Sequence, residues 1–251
     1  MQKFIAVFTL LVVVMLTVSP SLVAGVHVDP KEEKLDYYVS ELVHKQPGIT
    51  TDEMEEAIIL ASEETRKPEI VIAKQALREL NQAIQQEKPE KNTSISIMGG
   101  SAGTYKLVPA RNKGDLFYTP SSTLGIQHGH NGIYHTTTNI VESIPDTGVR
   151  KIKYNARNVE ANAVMQYVQS SQSTRDKAAD WANERVAIDA YSYNFATNRF
   201  TDKYGDKNCS KLIWSAFMLE ANIDLDKNQG FGVYPADIRD SSYTVTYNTI
   251  N

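Results

Sequence analysis

The stretch HNGIYHTTTNIVESIP, residues 130–145, has two short runs of strand-forming residues on either side of a Thr/Asn-rich bend, and so reads as two paired strands. Working outward from it, GDLFYTP (114–120) reads as a turn feeding a strand, and GVRKIKY (148–154) as a third strand beyond the hairpin. Further on, TRDKAADWANERV predicts a helix over 174–186, and another helix follows Cys209. Short strands beside helices of this size predict an α+β domain over 104–251.

The chain before this domain has a different grammar. Residues 26–91 are charged and helix-periodic, with helix starts at Pro30, at Thr50 with Glu53 three residues on, and at Pro68. In the third helix Ile70, Ala73, Leu77, Leu80 and Ile84 form an apolar stripe that must pack against something. Fifteen acidic residues against nine basic give this region a net charge of −6, whereas 92–251 is near +1. The region reads either as a pro-segment or cap over the domain that follows, or as a small bundle apart from its active site. Residues 92–103, rich in Ser and Gly without periodicity, read as a linker.

Residues 1–25 carry one charge at Lys3, run apolar from Phe4 to Val18 and reach small residues at Ala24 and Gly25, the pattern of a secretory signal peptide. The expected location is therefore secreted or associated with the cell envelope, with no transmembrane anchor after removal of the signal; a retained anchor is the competing reading, and about 15 apolar residues are short for a bilayer span. Loss of Lys3 leaves a net charge of −5, which does not suggest a nucleic-acid partner.

An exported chain with a single cysteine cannot form an internal disulfide, so Cys209 needs another explanation. Asn208 is a good N-cap, and CSKLIWSAFMLEA places Leu212, Ile213, Ala216 and Phe217 on one helical face. In the first turn, free N–H groups and the helix dipole would lower the thiol pKa and favour a nucleophilic thiolate. A buried core cysteine is the competing reading. A nucleophile needs a histidine base, and His128, His130 and His135 cluster in IQHGHNGIYH. Their spacing fits no standard zinc pattern, and neither metal nor cofactor is expected.

Taken together, Gly114-Asp115 before a strand, the HNGI run at His130, Glu142 on the next strand and CSKLIW at a helix start resemble the circularly permuted branch of the papain-like NlpC-type hydrolases. Within it the chain looks similar to the YiiX and YycO group, with lecithin:retinol acyltransferase as a distant cousin. In that branch the histidine strand precedes the cysteine helix, as it does here. The resemblance covers about 113–242, including Pro235 and Asp237 near its end, with an unmatched stretch between Tyr154 and Tyr191. Asn208 departs from it, since relatives often have an aromatic residue before the cysteine.

The resemblance implies a cysteine peptidase or amidase with Cys209 as nucleophile, His130 as base and Glu142 as the orienting carboxylate. It implies an amide substrate, a peptide or isopeptide bond of cell-wall peptidoglycan. The acyltransferase cousin implies a lipid-directed amidase or acyltransferase as an alternative, and a non-catalytic ligand-binding member of the same fold is another. Strand parity gives a geometric check. A three-residue loop at 136–138 would pair His135 with Asn139 and His130 with Ile144, putting Glu142 on the face of His130 and His135 on the opposite face. His128 shares the His130 face further from Glu142. Aromatics at Tyr191, Tyr193, Phe195, Tyr204 and Trp214 read as core residues or as a substrate wall.

Overall fold

The computed structural model describes residues 30–86, 104–123 and 126–251. The expected signal (1–25) and linker (92–103) lie outside the described residues. Three helices, α1 (Pro30–His44), α2 (Thr51–Thr65) and α3 (Glu69–Gln86), pack on one another. Their starts follow the sequence. The Thr50 hydroxyl accepts the Glu53 N–H at 3.2 Å while Glu53 Oε2 accepts the Thr50 N–H at 2.7 Å, the reciprocal cap expected there.

The buried face of α3 is broader than the expected stripe. Ile72, Ala76, Glu79 and Ala83 are buried beside Ala73, Leu77 and Leu80, whereas Ile70 and Ile84 are partly exposed. The helix is covered by its two neighbours and, in addition, by loops of the following region, which share its apolar cluster.

That region is a mixed unit of helix and antiparallel sheet. Its strands are β1 (Tyr105–Lys106), β2 (Leu116–Thr119), β3 (Ser122–Thr123), β4 (Ile126–Gln127), β5 (His130–Thr136), β6 (Asn139–Ile144), β7 (Gly148–Lys153), β8 (Asn158–Val159), β9 (Ala163–Val168) and β10 (Thr244–Ile250). Six of them form one antiparallel sheet in the order β10-β9-β2-β5-β6-β7, and β1-β8 and β3-β4 are small pairs. The stretch expected as an unmatched insertion supplies β9, which lies inside this sheet, and α4 (Gln172–Glu184), which packs on α5 (Cys209–Ala221). A short α6 (Pro235–Arg239) follows.

The β5-β6 hairpin has the expected register by a different route. Ile133 pairs with Val141 and Tyr134 with Ile140, but the bend is two residues, Thr137 and Thr138, and a bulge at His135 supplies the residue a three-residue loop would have held.

The sheet divides two cores. Leu116, Ile133, Val141 and Val149 meet α4 and α5 on one face, while Phe117, Tyr134, Ile140 and Met165 meet Leu107 and Val159 on the other. The α5 helix exceeds its expected single face, because Cys209 through Phe217 are all buried. Each Leu, Ile or Phe so enclosed contributes about 1.5–3 kcal/mol. Two of its polar members bond within the fold, Lys211 Nζ donating to the carbonyls of Thr201 at 2.9 Å and Arg199 at 3.3 Å and the Ser210 hydroxyl to that of Val233 at 2.7 Å, whereas the Ser215 hydroxyl is buried without a partner among the described residues. Among the described residues, no helix is long and apolar enough to cross a membrane.

Candidate active site

The Gly114-Asp115 pair shapes the turn into β2. Gly114 sits at φ +79°, and an added Cβ would lie 2.5 Å from the Arg175 Cβ and carbonyl oxygen, so this turn requires glycine. The Asp115 carboxylate accepts the N–H groups of Arg111 (3.1 Å) and Asn112 (3.0 Å) and the Tyr247 hydroxyl (2.9 Å). It therefore ties the loop before β2 to the C-terminal strand.

His130, the first residue of β5, and Glu142 on β6 are brought together. His130 Nε2 lies 2.8 Å from Glu142 Oε2, with the two side chains 3% and 0% exposed. Two arginines complete the cluster. Arg150, directly opposite Glu142 in the β6-β7 register, binds Oε1 through Nε at 3.0 Å and Nη2 at 2.6 Å, and Arg157 Nη1 lies 3.4 Å from Oε2. Burial alone would raise the Glu142 carboxyl, but Arg157, the His130 hydrogen bond and Arg150 outweigh it and hold it well below the carboxylate range. Burial and the Arg157 charge push His130 down to about 4 against the raising effect of Glu142. An ionised Glu142 can only accept, so Nε2 of a neutral His130 carries the proton and Nδ1 is the basic nitrogen.

Cys209 opens α5 behind its cap. Asn208 Oδ1 accepts the Lys211 N–H at 3.0 Å, as a capping asparagine should. Cys209 lies near the start of β5, and the backbone N–H groups of Asn131 and Ser210 and the charge of Arg157 favour its thiolate while Glu142 opposes it. The expected low thiol pKa is not found. Burial pushes it up to about 11, because Cys209 is 1% exposed and shares an apolar cluster with the helical region, Phe195, Phe231 and Tyr234. The Ser210 N–H at the helix terminus acts in the expected direction, and enclosure outweighs it.

The other histidines separate. His128 is buried, its ring 4.7 Å from that of Phe195, with Nδ1 2.6 Å from the Gly129 carbonyl, and burial pushes it down to about 4. His135, at the bulge, lies 3.1 Å from the exposed Asp180. Among the described residues, no group of three or more His, Cys, Asp or Glu side chains is placed to hold a metal ion.

Two loops flank the cysteine, and both are tied to its neighbours. Asn208 Nδ2 donates to the Asn194 carbonyl at 2.9 Å, and the Ser210 hydroxyl to the Val233 carbonyl at 2.7 Å. The expected aromatics divide: Phe195 belongs to the cluster around Cys209, Tyr193 packs against its edge, Trp214 is in the core behind α5, and Tyr204 is exposed.

Several residues of the site had no part in the sequence reading. Arg150 had a readable signal, since a three-residue turn after Ile144 puts it opposite Glu142. Glu79 had one too, as an acid between Ala76 and Leu80 on an apolar face. Arg157, Asn131 and Gln46 had none.

No protein-family model matches the chain. It is 45% identical to the uncharacterized protein YycO of Bacillus subtilis (strain 168) over 238 residues, spanning 94% of this chain and 96% of YycO. Among solved structures, the metalloprotein YiiX of Escherichia coli O157:H7 is similar over 55% of this chain and 97% of its own, with 13% identity and a TM-score of 0.43.

Proposed function

The chain belongs to the family of YycO, and from its own buried cysteine, histidine and glutamate we propose that it is an exported cysteine hydrolase that cleaves an amide bond. The fold proposed is the circularly permuted papain-like arrangement. The substrate proposed is a peptide or isopeptide bond of bacterial cell-wall peptidoglycan.

The observation that carries this reading is the buried contact of His130 Nε2 with Glu142 Oε2 at 2.8 Å, beside Asn131, whose backbone N–H favours the Cys209 thiolate. It leaves Nδ1 as the base. In the proposed reaction Nδ1 takes the Cys209 proton, and the sulfur attacks the amide carbonyl while the Cys209 backbone N–H stabilises the oxyanion. Glu142 supports the imidazolium. The C–N bond then breaks, the imidazolium gives its proton to the departing amine, and a thioester remains. Water, deprotonated by His130, cleaves the thioester to a carboxylic acid and restores the thiol. Acid–base assistance of this kind contributes about 10²–10⁴-fold.

Release of new amino groups from purified peptidoglycan by the full chain, compared with its Cys209→Ala variant, tests the proposal. Loss of release in the variant supports it, and equal release rules out the cysteine. A second reading, a ligand-binding module without turnover, is favoured by the enclosure of Cys209 and its thiol at about 11; it requires ligand retention with no amine release by either chain.

A further inference from the structure

The helical region is joined to the two loops beside the cysteine through two buried polar side chains. Gln46, just after α1, accepts the N–H of Phe195 at 2.8 Å and of Ala196 at 3.0 Å through the same Oε1. Glu79 of α3 accepts the N–H of Phe231 at 2.7 Å and of Gly232 at 3.3 Å through the same Oε2. The other end of each is braced by its own side of the interface: Gln46 Nε2 donates to the Leu42 carbonyl at 3.2 Å, and Gln75 donates to Glu79 Oε1 at 2.7 Å.

These N–H pairs belong to the loops bonded to the residues on either side of Cys209, through Asn208 to Asn194 and through Ser210 to Val233. Each pair has two adjacent backbone donors converging on one oxygen, which is the arrangement that binds carbonyl or anionic oxygen. The second seat is also shaped for its occupant. A Cβ at Gly230 would lie 2.5 Å from Glu79 Oε2.

We infer that the Phe195/Ala196 and Phe231/Gly232 N–H pairs are substrate subsites on either side of Cys209, the first for a carbonyl and the second for a carboxylate, and that Gln46 and Glu79 occupy them as built-in ligands. The ligand class is a peptide with a free carboxylate. Its binding requires the helical region to withdraw, which also exposes the thiol to water. The inference rests on the hydrolase reading only in treating this cleft as a substrate cleft.

The test uses the full chain, in which Cys209 is the single cysteine, so that intact mass reports its alkylation by iodoacetamide without ambiguity. Glu79→Ala and Gln46→Ala each lose two interfacial hydrogen bonds and are expected to react about tenfold faster than wild type. Glu79→Gln, which keeps an acceptor oxygen in the seat, is expected to stay within about threefold of wild type. N-acetyl-alanyl-alanine is expected to protect Glu79→Ala, and its C-terminal amide is not.

Unchanged alkylation in both alanine variants overturns the inference, as does equal protection by the acid and the amide. A Glu79→Ala chain that unfolds would react without protection by either peptide, and that result also overturns it. Turnover is not read in this experiment, so a chain that hydrolyses nothing still decides the question.

Discussion

Replacing Glu142 by glutamine changes one atom in a buried cluster of charges. The carboxylate faces Arg150 at 2.6 and 3.0 Å, His130 at 2.8 Å and the fully buried Arg157 at 3.4 Å. Glutamine retains one acceptor oxygen, turns an NH₂ toward donors and removes the negative charge that faces Arg150 and Arg157. Breaking a buried pair in this way costs about 3–5 kcal/mol, which is the stability loss expected at pH 7.

The pH dependence has a definite sign. Glu142 is depressed in the folded chain, so its contribution is fully present above the unfolded value of 4.5 and is lost as the pH falls below it. At pH 3.5 the difference between wild type and Glu142→Gln should therefore be about 1.4 kcal/mol smaller than at pH 7. Urea unfolding of both chains at the two pH values measures this. A variant within about 1 kcal/mol of wild type at pH 7, well below the range for a broken buried pair, refutes the reasoning, as does a difference unchanged at pH 3.5.

Three other outcomes are expected. His128 and His130 are neutral when folded, with values of about 4 against 6.5 unfolded, so the stability they contribute is present above pH 6.5 and is lost as the pH falls toward 4. The urea midpoint should drop across that window, and less steeply in His128→Phe. Gly114→Ala forces a left-handed residue against Arg175 and should lower stability by about 1–3 kcal/mol, read as a fall in the thermal midpoint. With its thiol at about 11, Cys209 in the wild-type chain should be alkylated at a rate that still rises about tenfold per pH unit beyond pH 9, where an ordinary thiol has levelled off.

What the sequence reveals depends on whether a feature is local. The Thr50 cap, the Asn208 cap and the hairpin are read from neighbouring residues, and the structure has each of them. The contact of His130 with Glu142 follows from strand parity, because a period of two fixes which side chains share a face. The strands β9 and β10 were missed since their pairing joins residues about eighty positions apart, which no local pattern encodes. Arg157 was missed for the same reason: it reaches Glu142 from beyond the end of β7. The thiol was misjudged because its helix position is local while its enclosure is tertiary, formed by Phe195, Phe231, Tyr234 and the helices of 30–86.

The measurement closest to the central claim is the intact mass of the full-length Glu79→Ala chain, quenched in acid during incubation with peptidoglycan fragments. The account predicts a hydroxylamine-labile acyl adduct on Cys209, present in that chain and absent when Cys209→Ala is added to it. Fragments released without an adduct, at a rate unchanged by Cys209→Ala, would contradict it.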